Sequence, residues 1–385
     1  MKKNDDPVKV LIVAVNGYGH YYLRTLLKDI DCSKAMLAGV VDPAAEKSEY
    51  HRFFIDSGIP VADRISDFYL GGGKADLAVI SSPPQYHIAQ SMTALHNGTN
   101  VLCEKPLSGC LADVPGLIAK SSGTGRFVMV GFQWSYSDGI QRLKHDILDG
   151  RFGKPLRMKS LCLWPRDLAY FKRNSWAYTK VDPDGHMVND NIFNNATSHF
   201  IHNMFYLLGE EPERSASATP GEVLLARAND VETYDTGAFT AVTNSGAELL
   251  FLASHATEKR VDPCFRIEFE KGFAELKPGA ATITVRLIDN STVTYPSPDS
   301  DHQFRKLFMA IDNVHEPFEL VCPPEAVIPQ MELVEAVDKM VPVPRSFSKD
   351  QIVNTGERVF VSKLDDIFLS SYRDFKMPKI FSSAK

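Results

Sequence analysis

At 385 residues the chain is longer than one hydrophobic core usually serves, which predicts two domains, and its 44% hydrophobic and 23% charged residues are typical of a globular protein. Its net charge of -6 argues against a nucleic-acid partner, because binding to a polyphosphate depends on an excess of Lys and Arg. The six cysteines show no C-x-x-C spacing and no segment approaches the roughly 20 apolar residues that cross a bilayer, so we expect a cytoplasmic protein without membrane contact.

The first third of the chain alternates short apolar runs with longer amphipathic stretches, the pattern of parallel strands joined by helices. The predicted strands span residues 9–15, 36–41, 75–81, 100–104 and 126–131. The predicted helices span residues 20–28, 46–57, 86–97, 112–122 and 138–149. Together these elements predict an α/β protein whose residues 1–134 form a Rossmann domain, with a doubly wound parallel sheet.

The remaining residues, 135–385, are dominated by strand-like stretches with few helices between them. The predicted strands span residues 156–163, 237–243, 247–254, 265–269 and 282–288. Helices are predicted over residues 192–208 and 324–340, and the second begins at a pair of prolines, which suits a helix start. This pattern predicts a second α/β domain with an open, mainly antiparallel sheet.

The first predicted strand leads into a G-x-G turn, formed by Gly17 and Gly19, that opens a helix. Bare backbone there lets a pyrophosphate approach the helix N-terminus. Tyr22 occupies the third glycine position, so the fingerprint is degenerate and alone also describes an ordinary turn. Asp42 follows the second strand, where a carboxylate accepts hydrogen bonds from the ribose and repels a 2'-phosphate, so we expect NAD rather than NADP.

Further polar motifs follow the later strands, at the sheet edge where ligands of parallel sheets bind. An S-P-P-x-x-H stretch ends at His87, an E-K-P stretch occupies residues 104–106, and a V-G-F-Q stretch ends at Gln133. The residues predicted to bind the cofactor are Asn16, Gly17, Tyr18, Gly19, His20, Asp42, Ser81, Ser82, Pro83, His87, Glu104, Lys105 and Gln133.

In order and spacing, these motifs and the G-R-F-G-K-P stretch at residues 150–155 resemble those of the Gfo/Idh/MocA family, named after glucose-fructose oxidoreductase and inositol dehydrogenase. The resemblance spans most of the chain. It implies a second domain, residues 135–385, that binds substrate opposite the nicotinamide and forms homo-oligomers, dimers or tetramers, through its sheet. It also implies that Lys105 is the catalytic lysine of the E-K-P motif. Without the other motifs, Lys105 would be read as a solvated lysine before a turn proline.

Members of this family often carry a D-x-G-x-H pattern beside the substrate carbon, and the matching residues here are Asn195 to His199. Asn195 cannot take a proton, so the base is expected to be His199 or Lys105. On a helix from residue 192, residues 195, 199 and 202 would share one stripe. His202 is a candidate substrate contact there, although a structural histidine is the stronger interpretation. No carboxylate lies nearby in that helix, so we expect no metal.

Aromatic and arginine residues cluster just after the predicted strand 156–163. Aromatic faces and guanidinium donors suit a sugar or an acidic polyol, although both residue types are also enriched at protein interfaces. The candidate substrate contacts in this cluster are Trp164, Arg166, Tyr170, Arg173 and Trp176.

The leading hypothesis is an NAD-dependent oxidoreductase that acts on a sugar, inositol or related polyol, with Lys105 and His199 as the acid/base pair. A second hypothesis is a glycoside hydrolase that retains NAD and works by transient oxidation and elimination. A third is a non-catalytic NAD-binding regulator, which Asn195 keeps open.

Overall fold

A computed structural model of the chain describes residues 6–316, 318 and 320–381. The chain forms two compact units. The first comprises the described residues of Met1–Tyr136 and His302–Glu325, and the second those of Ser137–Asp301 and Ala326–Lys385. Residues 302–325, which the sequence assigned to the second domain, thus belong to the first unit. Across the described residues no helix has the length and apolarity needed to span a membrane.

The N-terminal part of the chain folds into alternating strands and helices. These are β1 (Val8–Val13), α1 (Gly19–Lys28), β2 (Ala35–Val41), α2 (His51–Asp56), β3 (Val61–Ala62), α3 (Ile65–Leu70), β4 (Leu77–Ile80), α4 (His87–His96), β5 (Asn100–Cys103), α5 (Val114–Thr124) and β6 (Val128–Val130). All six strands are parallel, in the order β3-β2-β1-β4-β5-β6. This is the strand order of a Rossmann fold and confirms the predicted fold class.

The rest of the chain is richer in strands. Its elements are α6 (Asp138–Leu148), β7 (Pro155–Leu163), α7 (Leu168–Phe171), α8 (Ser198–Leu207), β8 (Ala218–Arg227), β9 (Thr236–Thr243), β10 (Glu248–Ser254), β11 (Val261–Phe269), β12 (Gly272–Leu276), β13 (Thr282–Leu287), β14 (Thr292–Pro296), α9 (Arg305–His315), α10 (Pro324–Met340), β15 (Arg345–Ser346), β16 (Ile352–Asn354), β17 (Val359–Val361) and α11 (Leu364–Asp374). Nine strands form one mixed, mostly antiparallel sheet, in the order β14-β13-β12-β11-β7-β10-β9-β8-β15. Inside it, β7 and β10 are parallel neighbours.

Both faces of the middle of this sheet are buried. On one face, the ring of Phe193 lies 5.6 Å from that of Phe239 and 5.5 Å from that of Phe251. On the other face, Leu161 of β7 and Leu252 of β10 share a core with Phe368 of α11. Because α11 packs there, this part of the sheet is covered by the chain itself. The sheet has two edge strands, β14 and β15, which confirms the predicted open, mainly antiparallel sheet.

The helix predicted over residues 192–208 begins at Ser198 instead. The Asn191 side chain accepts hydrogen bonds from the backbone N–H groups of Phe193 and Asn194, both at 2.9 Å. Asparagine side chains that bond to nearby backbone compete with helix formation and favour turns. Asn195 therefore precedes the helix, and the predicted stripe of residues 195, 199 and 202 along one helix is wrong.

Candidate functional site

The turn between β1 and α1 brings two backbone segments into close contact. A Cβ on Gly19 would lie 1.9 Å from the carbonyl oxygen of Ala14 and 2.6 Å from Oγ of Ser81, so a side chain at Gly19 would clash. Ser81 Oγ in turn donates to the carbonyl oxygens of Val13 and Ala14, each at 3.2 Å. Among the described residues no side chain caps α1, and its first turn contains no acidic residue. The helix start therefore suits an anion.

Asp42 joins the turn after β1 to the turn after β2. Its Oδ2 accepts from the backbone N–H of Val15 at 2.9 Å and from Nδ2 of Asn16 at 3.0 Å. Its Oδ1 accepts from the backbone N–H of Ala44 at 2.8 Å. An ionised carboxylate has about four lone-pair positions, so three bonds leave room for one more donor such as a ribose hydroxyl.

Tyr22, at the third glycine position, is completely buried. Its hydroxyl donates to Oε1 of Glu104 at 2.5 Å, and its ring packs edge-on against Phe304 at 4.7 Å between centroids. The tyrosine thus links α1 to the E-K-P motif. A glycine at the same position would only let the helix approach the sheet.

Glu104 forms a buried ion pair with Lys306 of α9, whose side chain is fully enclosed. Lys306 also donates to the carbonyl oxygen of Gly131 at 3.1 Å. Burial alone would raise the pKa of Glu104, but the charge of Lys306 and the hydrogen bonds from Lys306 and Tyr22 outweigh it and lower the pKa. Burial would likewise lower the pKa of Lys306, and the attraction of Glu104 raises it overall. Both groups are therefore charged at neutral pH.

Sequence reasoning did not single out Lys306. It lies outside every motif, on a helix that was not predicted. Its partner Glu104 is 202 residues away in the sequence. The only available hint was the amphipathic pattern of residues 305–315.

His87 is buried, and both its ring nitrogens face backbone carbonyls. Nδ1 lies 2.8 Å from the oxygen of Pro106, and Nε2 lies 2.8 Å from the oxygen of Ser82. Burial lowers the pKa of His87. The ring therefore braces the loops after β4 and β5. A neutral imidazole has one N–H donor, so only one of these carbonyls can accept a hydrogen bond from it, and the cofactor contact of His87 stays a prediction.

The other predicted cofactor residues lie at the same carboxyl edge of the parallel sheet. Lys105 follows β5 and is partly buried, and its backbone N–H donates to Oε2 of Glu104 at 3.1 Å. Ser82 Oγ donates to Oε1 of Gln90 at 2.6 Å. Tyr18 and His20 follow β1, Pro83 follows β4, and Gln133 follows β6 in the sequence.

In the second unit, a carboxylate lies directly beside Asn195. Nδ2 of Asn195 donates to Oδ1 of Asp190 at 2.6 Å. Asp190 is 3% exposed, and its Oδ2 accepts from Nη2 of Arg173 at 2.8 Å and from the backbone N–H of Tyr178 at 2.7 Å. A carboxylate thus lies beside Asn195, five positions upstream in the sequence, and sequence reasoning missed it.

The two histidines of α8 have different surroundings. His199 is partly buried in the first turn of the helix. His202 is enclosed and stacks on Tyr206, with ring centroids 5.7 Å apart. Burial, aided by the charge of Lys144, lowers the pKa of His202 to about 3. His202 is therefore neutral at physiological pH and has the environment of a structural histidine.

The arginine and aromatic residues after β7 contact one another in a continuous row, and their contact with a substrate stays a prediction. The guanidinium carbon of Arg166 lies 5.4 Å from the ring centroid of Trp164 and 4.5 Å from that of Tyr170. The guanidinium carbon of Arg173 lies 4.5 Å from the same Tyr170 ring and 5.5 Å from that of Trp176. We call these five residues the arginine-aromatic row. Its stacking geometry suits cation–π contacts and planar ligands.

Two family models match the chain. One, described as an oxidoreductase family with an NAD-binding Rossmann fold, matches residues 8–132. The other, described as the GFO/IDH/MocA C-terminal domain, matches residues 140–275. Together the two matches cover more than half of the chain.

Curated relatives include two inositol dehydrogenases. Inositol 2-dehydrogenase of Streptomyces avermitilis is 28% identical over 225 residues, which cover 55% of this chain and 60% of that protein. Myo-inositol 2-dehydrogenase of Thermotoga maritima is 28% identical over 182 residues, which cover 44% of this chain and 49% of that protein. The matched region is thus less than two thirds of either relative.

Solved structures share the fold over nearly the whole chain. The WlbA dehydrogenase from Chromobacterium violaceum, in complex with NADH and UDP-GlcNAcA, has a TM-score of 0.70 at 20% identity, covering 88% of this chain and 95% of that one. Aldose-aldose oxidoreductase from Caulobacter crescentus, complexed with glycerol, has a TM-score of 0.69 at 18% identity, covering 87% and 98%. Identities this low establish a common fold and nothing finer.

Proposed function

Because the chain belongs to the Gfo/Idh/MocA family of oxidoreductases, we propose that it is an NAD-dependent dehydrogenase acting on a CH–OH carbon of a sugar, an inositol or a related polyol. The observation that carries this proposal is the turn after β1, where Gly19 leaves no room for a side chain beside an uncapped helix start. Such a turn suits the pyrophosphate of a dinucleotide. The inositol dehydrogenases among the relatives support the substrate class.

We assign proton transfer to Lys105 and His199. A bound nicotinamide would supply the chemistry of accepting or donating a hydride. When an alcohol is oxidised, its hydroxyl proton must pass to a protein side chain as the hydride leaves the carbon. Asn195 cannot take that proton, and His202 is enclosed in a core that keeps it neutral.

Asp190 bears on whether the protein is an enzyme or a regulator. Asn195 favoured the regulator because it removes the acid of the family pattern. The carboxylate of Asp190 lies 2.6 Å from the Asn195 amide, so a carboxylate is present beside that position. A nearby carboxylate can orient a proton-transfer group and stabilise its charged form. We therefore favour the enzyme.

We propose NAD rather than NADP as the cofactor. Asp42 is buried at the end of β2 and holds the turn that would meet the ribose. A 2'-phosphate next to this carboxylate would be repelled, so NAD should bind at least about tenfold more tightly than NADP. Calorimetric titration with both dinucleotides tests this, and equal affinities would contradict it.

We also propose that the protein is a cytoplasmic homo-oligomer, a dimer or a tetramer. Part of the sheet, including Cys264 of β11, is covered by α11 around Phe368, so an assembly through the sheet would use the strands from β12 to β14. Light scattering coupled to size-exclusion chromatography tests the oligomeric state, and a monomer at micromolar concentration would contradict it.

The function is tested by incubating the protein with NAD+ and a panel of sugars, inositols, other polyols and aryl glycosides. Formation of NADH is followed by its absorbance, and release of the aglycone is followed in parallel. NADH that accumulates with an alcohol substrate supports the dehydrogenase. Aglycone release without net NADH formation would support the glycoside hydrolase, and bound NAD without either signal would support the regulator.

A further inference from the structure

We propose that Arg166 is an anchor for a carboxylate, so that the substrate is an acidic sugar or polyol, such as a uronate or an aldonate, rather than a neutral one. This inference rests on the proposed function and narrows its substrate class. It is based on a cation that has no hydrogen-bond acceptor and on an acceptor that has no hydrogen-bond donor among the described residues. Both lie near the ends of β7 and β10.

Arg166 differs from the other arginines around it. Arg173 pairs with Asp190 at 2.8 Å, and Arg260 pairs with Asp262 at 2.7 Å. Among the described residues, the guanidinium of Arg166 has neither a carboxylate within 4.0 Å nor a hydrogen-bond acceptor. Its Nε is buried, and stacking against Trp164 and Tyr170 holds its plane. A partly buried cation without an acceptor is unfavourable unless a ligand supplies one.

His255 provides a second, independent sign of a missing ligand. It follows β10, is 1% exposed, and its carbonyl oxygen accepts from the backbone N–H of Arg166 at 3.2 Å. Burial and the charge of Arg166 lower its pKa to about 3, so the ring is neutral. Nδ1 lies 2.7 Å from the carbonyl oxygen of Trp164 and must carry the proton. Nε2 is then an acceptor, and no donor reaches it within the described part of the chain.

The same aromatic ring contacts both groups. The Tyr170 ring lies 4.5 Å from the guanidinium carbon of Arg166 and 5.5 Å from the ring of His255, and the charge of Arg166 acts on the pKa of His255, so the two groups share one neighbourhood. The site therefore calls for a ligand that offers an anionic oxygen and a hydroxyl donor close together. A neutral polyol offers only the hydroxyl and leaves Arg166 unmatched.

A carboxylate fits the geometry better than a phosphate ester does. Rings that stack against a guanidinium leave its planar edge for hydrogen bonds, and a carboxylate presents two coplanar oxygens to such an edge. Hydroxyls beside the carboxyl group, as in uronates and aldonates, can donate to His255 Nε2. We therefore commit to the carboxylate and use a phosphorylated sugar as a competing outcome of the test.

The test uses matched probes that differ only in the acid group. D-glucuronate is compared with D-glucose, D-galacturonate with D-galactose, and D-gluconate with D-glucitol, and D-glucose 6-phosphate is added as the phosphate arm. Binding to the protein saturated with NADH is measured by calorimetry. We expect at least one acid to bind about 10- to 100-fold more tightly than its neutral partner, as charge-assisted hydrogen bonds predict. Arg166→Gln should abolish that preference.

Arg260→Gln is the matched control. Arg260 also lies near Trp164, with its guanidinium carbon 5.6 Å from the ring, but it is already paired with Asp262. Its substitution should leave the preference for acids unchanged. The proposal is overturned if no acid binds at millimolar concentration, if the phosphate or the neutral partners bind as tightly as the acids, or if Arg166→Gln weakens acids and neutral partners equally.

The binding measurement separates this proposal from the proposed function. Preference for an acid, lost in Arg166→Gln, without any formation of NADH from NAD+ would keep the carboxylate site and remove the dehydrogenase. Oxidation of neutral polyols without any preference for acids would keep the dehydrogenase and remove the carboxylate site.

Discussion

The turn after β1 and the arginine-aromatic row after β7 both follow strand ends, yet they are built in different ways. The turn depends on backbone geometry, such as the close approach at Gly19, and on residues that recognisable motifs mark at the ends of strands. The row depends on side-chain pairing that no motif marks, as when Arg173 meets Asp190, 17 residues along the chain. The comparison shows why the cofactor half of such a protein can be identified from sequence, whereas its substrate half needs the three-dimensional structure.

The two regions also differ in how well their charges are matched. The buried Lys306 in the first unit has Glu104 as its counter-ion and a carbonyl as a second acceptor. Arg166 in the second unit has no acceptor among the described residues. A buried cation that has its counter-ion is typical of a structural contact, whereas a cation without an acceptor is typical of a binding site.

The largest expected effect is on kcat, and it should follow from a substitution in either unit. Lys105→Met in the first unit or His199→Ala in the second should lower kcat about 10²- to 10⁴-fold, because each removes a proposed proton-transfer group. In His199→Ala the affinity for NAD should stay within a few fold, because His199 is not among the predicted cofactor contacts. Lys34→Met, at an exposed lysine, is the control. Steady-state kinetics on the identified substrate measure kcat, and calorimetry measures the affinity for NAD. A near wild-type kcat in either variant would refute that residue's role.

The next effect contrasts the matched and the unmatched cation directly. Lys306→Met leaves Glu104 buried without its counter-ion and should lower the free energy of unfolding by about 3–5 kcal/mol. Arg166→Met removes a cation that has no partner, so it should change that free energy by less than about 1 kcal/mol. Denaturant unfolding of both variants checks the contrast, and similar losses in the two would contradict it.

Much of the fold and part of the candidate site could be predicted from sequence, and the rest could not. The parallel sheet, the G-x-G turn and Asp42 follow from apolar periodicity and local turn chemistry, so they were predicted at their positions. Lys306 was missed because its partner Glu104 lies 202 residues away. Asp190 was missed because its contacts with Arg173 and Asn195 arise from loop packing that no motif marks. The start of α8 was misplaced because the side chain of Asn191 bonds to the backbone ahead of it and delays the helix.

The pH dependence of stability should show the buried histidines of the second unit. His202 and His255 have folded pKa values of about 3, well below the value of about 6.5 of an unfolded histidine. The unfolded chain therefore binds more protons as the pH falls from about 6.5 toward 3, and each histidine removes about 1.4 kcal/mol of stability per pH unit there. His202→Gln should flatten the profile measured by denaturant unfolding. An unchanged slope would show that His202 is not kept neutral.

The smallest expected effect concerns the contact between Asp190 and Asn195. Asn195→Asp would put two carboxylates where 2.6 Å now separates an amide nitrogen from an oxygen, so one of them would hold a proton. We expect kcat/KM to fall by about tenfold at neutral pH. Exchanging the two side chains, in the double variant Asp190→Asn with Asn195→Asp, should recover part of the loss. Higher activity in Asn195→Asp alone would show that Asp190 does not serve this position.

The account depends most on a dinucleotide bound at the turn after β1, and one calorimetric titration with NAD+ tests it. Wild-type protein should bind with saturable heat, and Gly19→Ala should bind at least about tenfold more weakly, because its Cβ would meet the Ala14 carbonyl. Gly116→Ala, in α5 with open space around it, is the matched control and should bind as wild type does. Absence of saturable binding to the wild type, or equal affinity in Gly19→Ala, would contradict the account.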